Sequence, residues 1–176
     1  MRSEGALLII TAVMFILLGI AAIAAPLFAG LAFSVFVGGL LMAAGLAHII
    51  SVLSRDDGGV VLHVALGLVY ACGGAYFLSN PALGLIALTL LLAVMLFVEA
   101  GIEMVAYSAQ RREPGAPWLL VNAFITAALG TLIAMRWPAT AAWAIGTLLG
   151  VNLITTGASR LMLGASVWRS LRGLRV

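Results

Sequence analysis

The sequence has no lysine, and only 9% of its 176 residues are charged. A soluble domain needs a polar surface, and the scarcity of charge excludes that class because 64% of the residues are apolar and the mean hydropathy is +1.23. The runs 6–25 and 82–98 contain no charged residue at all. The chain is therefore an integral membrane protein, whose apolar surface contacts lipid.

The sequence also lacks the motifs of catalysis and of ligand binding. Its one cysteine, Cys72, excludes an intramolecular disulfide. The zinc-protease, hydrolase, Walker and dinucleotide motifs are absent. His48 and His63 lie on different predicted helices, without metal-ligand spacing, and no basic face interleaved with aromatic residues indicates nucleic-acid binding. We expect a protein that is not an enzyme, with no catalytic residue, cofactor, metal site or nucleic-acid partner.

A repeated unit is visible in three glycine-to-proline segments, which are GIAAIAAP at 19–26, GAYFLSNP at 74–81 and GTLIAMRWP at 130–138. An apolar run follows each proline and reaches a second glycine. Proline suits a tight turn or the first turn of the next helix. The repeat therefore predicts three tandem helical hairpins, each made of a helix, a short turn and a second helix.

Six transmembrane helices follow, because about 20 apolar residues cross the hydrocarbon core. The predicted spans are 6–25, 28–53, 60–79, 82–107, 118–136 and 139–166. The fold class is an all-α integral membrane protein with one membrane domain over 1–176, repeats at about 6–53, 60–107 and 118–166, and a basic cytoplasmic tail at 167–176. All three hairpins enter the membrane in the same direction, which favours a pseudo-threefold bundle about the membrane normal.

Arginine placement predicts the orientation. Seven arginines fall on the side of the termini, and only Arg136 lies in an opposite turn; the seven are Arg2, Arg55, Arg111, Arg112, Arg169, Arg172 and Arg175. We expect both termini in the cytoplasm and membrane lipids as partners. Trp118 and Trp137 bracket the fifth helix and, with Arg111 and Arg112, act as topology anchors. The tail is either a short basic surface helix or a frayed end.

Polar side chains inside the spans form the candidate site. His48, Glu103 and Arg160 each lie 22 residues after the proline of their repeat, and so at one depth. Glu99 lies one turn deeper on the same helix as Glu103, and His63 lies near the start of the third helix. Three interpretations stay open: side chains that reach to the interface, a structural Glu–Arg pair between repeats, or a proton- or ion-handling site.

Asn122 and Asn152 are interpreted as interhelical hydrogen-bonding groups. Gly146 and Gly150 are interpreted first as packing residues and second as a dimer contact.

The repeated glycine-to-proline turns, together with GIEMVAYSAQRR at 101–112, resemble the HdeD-like acid-resistance membrane proteins, a bacterial group of short repeats of unknown function. The resemblance covers about 6–163, although the first and third copies carry His48 and Arg160 where the second carries Glu103. It implies an inner-membrane protein linked to acid stress, without an established catalytic activity or cofactor. The leading hypothesis is a non-enzymatic protein of acid or envelope stress. The alternatives are a proton, ion or small-solute transporter or channel that uses this polar cluster on the cytoplasmic side, and a membrane scaffold or assembly partner. A homo-oligomer is left open as a partner.

Overall fold

The computed structural model describes residues 2–52, 60–113 and 115–173, with side chains described between 7 and 164 in those ranges. The described residues form six α-helices, one short 3₁₀ helix and no strand. The helices are α1 Arg2–Ala24, α2 Pro26–Val52, α3 Val60–Ser79, α4 Pro81–Ala109, α5 Ala116–Met135 and α6 Ala144–Gly173, with the 3₁₀ helix at Ala139–Ala142. Six spans, from Leu7–Ala24 to Ala139–Gly164, are long and apolar enough to cross a membrane. The predicted class, an all-α protein with six transmembrane helices, is confirmed.

Two of the three proline turns are as short as a turn can be. Only Ala25 separates α1 from α2, and only Asn80 separates α3 from α4. Pro26 and Pro81 each begin the following helix, where the N–H that proline lacks would have no intrahelical partner. The sequence placed both turns correctly.

The third turn is longer than predicted. After α5 the chain passes through Arg136, Trp137 and Pro138 into the 3₁₀ helix, and α6 begins at Ala144 instead of 139. The buried hydroxyl of Thr140 donates a 2.9 Å hydrogen bond to the carbonyl of Ile133, one of the last carbonyls of α5. This bond satisfies a group that the helix end would otherwise leave without a partner, and it holds the 3₁₀ segment under the end of α5.

Contacts divide the chain into two compact units, Met1–Gly30 with Ala142–Val176 and Leu31–Ala141. In the first unit α1 packs along α6. In the second, α2 packs against α3 and α4 packs against α5, with a smaller contact between α3 and α4. The closest pairs therefore join helices of different repeats, so the predicted tandem-hairpin arrangement is not confirmed. The single membrane domain and the pseudo-threefold bundle stay predictions.

Small residues at seven-residue intervals line the α1–α6 contact. A methyl group added at Gly150 would lie 2.8 Å from the carbonyl oxygen of Gly19, and one at Gly157 would lie 2.8 Å from that of Ala12. A step of seven residues returns to nearly the same helix face. The interpretation of Gly150 and Gly146 as packing residues is confirmed, since a methyl group at Gly146 would meet the backbone of Pro26.

Glycines also line the α2–α3 contact. A methyl group at Gly45 would lie 2.5 Å from the backbone nitrogen of Ala71 and 2.8 Å from the carbonyl oxygen of Gly67. Gly74 lies seven residues after Gly67 on α3. A methyl group added there would lie 2.5 Å from the backbone nitrogen of Met42 and 2.8 Å from the carbonyl oxygen of Gly38. The two backbones therefore touch directly, which only residues without a side chain permit.

Alanines take the same role between α4 and α5. The buried small residues recur every seven positions on each helix; they are Ala93 and Ala100 on α4, and Ala116, Ala123 and Gly130 on α5. A methyl group at Gly130 would lie 3.5 Å from the carbonyl oxygen of Ala93. The two helices run antiparallel, so the pairing of Ala93 with Gly130 also brings Ala100 opposite Ala123.

Large apolar side chains lie on the outside. Leu17, Phe28, Val61, Phe124 and Met162 are all at least 60% exposed, whereas eight of the eleven buried apolar residues that the structure describes are alanines. This distribution is the reverse of a soluble core and suits a lipid environment, because small residues let helices approach each other while lipid solvates the large ones.

Candidate intramembrane polar site

Glu103 and Asn122 form a hydrogen bond between side chains of two different helices. Glu103 is half-buried on α4, and its Oε1 accepts a hydrogen bond from Nδ2 of Asn122 on α5. The α4–α5 register explains the contact, since Glu103 follows Ala100 by three residues and Asn122 directly precedes Ala123. The interpretation of Asn122 as an interhelical hydrogen-bonding group is confirmed.

The second carboxylate oxygen of Glu103 has a different environment. Oε2 is buried, and no described residue forms a hydrogen bond with it. A carboxylate has two acceptor oxygens, and burial of one without a partner costs free energy. Among the described residues, Oε1 of Glu103 therefore has a hydrogen-bond partner and Oε2 has none.

Glu99 lies one turn before Glu103 but is exposed. A step of four residues rotates about 40° around a helix, and that offset turns Glu99 away from the α5 contact that Glu103 makes. The two carboxylates share a helix and a neighbourhood of sequence, yet the structure separates their environments. An exposed carboxylate inside a spanning helix costs free energy, so Glu99 is a candidate functional residue.

His48 and His63 come together where α2 meets α3. Their ring centroids are 5.9 Å apart with an interplanar angle of 56°. The ring of His48 also stacks on Tyr70, at 5.6 Å and 6°. Sequence reasoning missed Tyr70, although its position seven residues after His63 on the same helix was the available signal.

Arg160 lies on α6, in the unit that also contains α1. Its guanidinium carbon lies 4.6 Å from the ring centroid of Phe15 on α1, which is a cation–π contact. The half-buried Arg160 therefore has a partner that the sequence did not indicate. The predicted pairing of Arg160 with Glu103 stays a prediction.

The predicted topology anchors lie at the ends of α4 and α5. Trp118 is 75% exposed near the start of α5. Arg111 and Arg112 are exposed, and the guanidinium of Arg111 lies 5.8 Å from the ring centroid of Tyr107. Trp137 has a packing role as well, because its indole N–H donates a 3.0 Å hydrogen bond to the carbonyl of Ile86 on α4. Their anchoring function remains a prediction. The whole predicted tail at 167–176, with Arg2 and Arg55, lies outside the residues whose side chains the structure describes.

Within the described parts of the chain, no group of three or more histidine, cysteine, aspartate or glutamate residues could hold a metal ion. Cys72 is exposed on α3. The arrangement provides an interhelical hydrogen bond at Glu103 and brings two imidazoles together at His48 and His63.

Comparison with known proteins adds a family to this geometry. A family model described as a short repeat of unknown function, DUF308, matches residues 10–79 and again 65–135. Protein HdeD of Escherichia coli K12 is 26% identical over 151 residues, which cover 84% of this chain and 80% of HdeD. The HdeD proteins of E. coli O157:H7 and Shigella flexneri match to the same extent. No solved structure matches the chain significantly. The second family match begins 55 residues after the first, the period that the repeated turns indicate.

Proposed function

The chain belongs to the DUF308 short-repeat family, and on that premise we propose that it is a non-enzymatic protein of the bacterial inner membrane that acts in acid or envelope stress. It is a multi-pass membrane protein similar to HdeD, whose mechanism is unknown. The stress role follows from the resemblance to the acid-resistance membrane proteins.

The observation that carries the proposal is the Glu103–Asn122 pair. A carboxyl group that gains or loses a proton changes the charge of the α4–α5 contact by one, and Oε2 is the oxygen of Glu103 without a hydrogen bond to a described residue. Ionisable groups inside spanning helices are costly, and they commonly mark proton or ion handling. The pair therefore gives the protein a group through which acidity can act on helix packing.

Acid survival tests this role. The protein is expressed in a bacterial strain that lacks its own HdeD, and survival after acid challenge is compared with that of the empty vector. We expect wild type to raise survival and Glu103→Gln, which keeps an amide oxygen for Asn122 but cannot titrate, to return it to the vector level. Glu99→Gln is the matched control on the same helix and is expected to protect.

Equal membrane levels of all variants are verified by blotting. If wild type at a normal membrane level gives no protection, the stress role is wrong. If wild type and Glu103→Gln protect equally, the stress role stands and Glu103 is not the group that serves it.

A proton, ion or small-solute transporter is the second candidate, and the exposed carboxylate of Glu99 one turn from Glu103 favours it. Two carboxylates at successive turns could pass a proton along α4. Purified protein in liposomes is expected to carry a proton flux under a pH gradient, and the double variant Glu99→Gln/Glu103→Gln to remove it. Flux equal to that of empty liposomes in both gradient directions would eliminate this candidate.

The proposed orientation places both termini in the cytoplasm, with Arg111, Arg112 and Trp118 at that face in contact with lipid headgroups. Reporter fusions that are active only in the periplasm are expected to be silent after Gln110 and at the C-terminus, and active after Asn80. The reverse pattern would overturn the orientation.

A homo-oligomer is the third proposal, and it would also serve a scaffold. Glu99 supports it, because a second copy packed over this face of α4 would remove the exposed carboxylate from lipid. Cysteine substitution at Met95, which is also exposed on this face, in a Cys72→Ser background is expected to give a cross-linked dimer in native membranes. A monomer under the same oxidation would contradict it.

A further inference from the structure

We propose that His48 and His63 bind a divalent transition-metal ion between α2 and α3, with Zn²⁺, Ni²⁺ and Cu²⁺ as the class of ligand. The sequence alone argued against a metal site, because the two histidines lie on different helices. The structure places their rings side by side. The inference does not depend on the acid-stress role.

The separation of the rings fits one shared ion. Because a divalent ion binds an imidazole nitrogen at about 2.0–2.1 Å, two rings on one ion have centroids about 5 to 6.4 Å apart, from tetrahedral to linear arrangement. The centroids of His48 and His63 are 5.9 Å apart, and their planes are tilted by 56°. Imidazole is the side chain that Zn²⁺, Ni²⁺ and Cu²⁺ share as a preferred ligand.

The helix backbones hold the two histidines in place. The Cβ of His48 lies 3.3 Å from the position of a methyl group added at Gly67, so His48 packs directly on the α3 backbone. His63 lies one turn before Gly67 on α3. The Gly45–Gly67 contact fixes the register that brings the two histidines together. The donors are therefore positioned before any ion arrives, which reduces the entropic cost of binding.

Tyr70 limits the motion of His48. The two rings are stacked within 6° of parallel, so contact with Tyr70 restricts the orientation of the imidazole plane. A neighbour that fixes the orientation of a ligand ring is a regular feature of metal sites.

The pair lies near the end of α2 and the start of α3, which favours access of an ion from the membrane surface. His48 is four residues before Val52, the end of α2, and His63 is three residues after Val60, the start of α3. Both are half-buried. The described residues supply two ligands, and water or another molecule can take further coordination positions.

The chain contains two histidines in all, and this makes the experiment direct. The full chain is purified in detergent through a tag without histidine and loaded with one equivalent of Cu²⁺. Pulsed electron paramagnetic resonance then counts the imidazole nitrogens coupled to the ion. We expect two imidazoles at every protein concentration, one in His48→Gln and in His63→Gln, and two in the control Tyr70→Phe.

Thermal unfolding with Zn²⁺ provides the second readout. An ion that bridges two helices binds the folded state and raises the thermal midpoint, so Zn²⁺ is expected to stabilise wild type and to have no effect on the double variant His48→Gln/His63→Gln. Wild-type spectra with one or no coupled imidazole would overturn the proposal, whether or not the variants fold. A two-imidazole signal that disappears on dilution would overturn it too, because it would come from two copies of the chain.

Discussion

The two helix pairs of the Leu31–Ala141 unit use the same seven-residue spacing but meet at different distances. In α2–α3, a methyl group added at Gly45 or Gly74 would lie 2.5 Å from a backbone nitrogen of the partner helix. In α4–α5, the nearest atom to a methyl group at Gly130 would be the Cβ of Leu96 on α4, at 3.3 Å. The first pair is in backbone contact, whereas alanine methyl groups separate the second.

The difference shows two ways to hold helices together in lipid, where no hydrophobic effect drives them together. Glycine contacts bring backbones close enough for extensive van der Waals contact and leave no space for side chains between them. Alanine contacts keep the helices slightly further apart, and α4–α5 has the Glu103–Asn122 hydrogen bond in addition. We therefore expect α2–α3 to depend on shape and α4–α5 to depend partly on polarity.

The largest effect is expected from Gly74→Ala. The added methyl group would lie 2.5 Å from the nitrogen of Met42 and 2.8 Å from the oxygen of Gly38, and backbone atoms cannot move aside as a side chain can. Overpacking of this kind costs about 1–3 kcal/mol or more. The free energy of unfolding, measured by titration with a denaturing detergent, should fall by at least that range.

Gly73→Ala is the matched control for this change. It alters the adjacent glycine of the same helix, where the added methyl group would have no described atom within 4 Å apart from its chain neighbours and the nearby backbone of α3. Since alanine is favoured over glycine in a helix by about 1 kcal/mol, this variant should be neutral or slightly more stable. Equal losses in the two variants would show that helix propensity, and not contact with α2, governs this region.

The positions of the helices could be predicted from the sequence, but the pairs that they form could not. Composition and the prolines at Pro26 and Pro81 predicted the helix bounds closely, because a spanning segment must be apolar and long. Hydrophobic periodicity cannot reveal which face packs, because the lipid-facing and the buried faces of a membrane helix are both apolar. The signal that was present, small residues at steps of seven such as Gly150, Gly157 and Gly164, gives a face but not the identity of its partner.

The candidate site shows the same limit. The common depth of the polar residues stays a prediction, whereas Asn122 was correctly interpreted as a hydrogen-bonding group. The rotation of each helix about its axis could not be predicted from the sequence. This rotation places Glu103 against α5 and leaves Glu99 exposed. The meeting of His48 with His63 also depends on the α2–α3 pairing, which the predicted hairpins did not contain.

An intermediate effect is expected from the polar bond of α4–α5. Asn122→Ala removes the donor to Glu103, and interhelical hydrogen bonds in membranes contribute about 0.6 kcal/mol on average and up to about 1.7. A double-mutant cycle with Glu103→Ala measures the coupling, and a coupling in that range is expected. Asn80→Ala, which changes an exposed asparagine at the opposite end of α4, is the control and should show no coupling with Glu103→Ala. Zero coupling for Asn122 as well would mean that α4–α5 is held by shape alone.

The smallest effect is expected from Gly130→Ala, the counterpart of Gly74→Ala in the wider pair. The methyl group would meet the Cβ of Leu96 at 3.3 Å and other atoms at 3.5 Å, so a side chain would have to move by only a few tenths of an ångström. That small strain opposes the gain of about 1 kcal/mol from replacing glycine by alanine in a helix, and the two should nearly cancel. The free energy of unfolding should therefore stay close to that of wild type, measured under the same detergent titration. A loss as large as that of Gly74→Ala would mean that α4 and α5 are also in backbone contact, and the distinction between the two pairs would disappear.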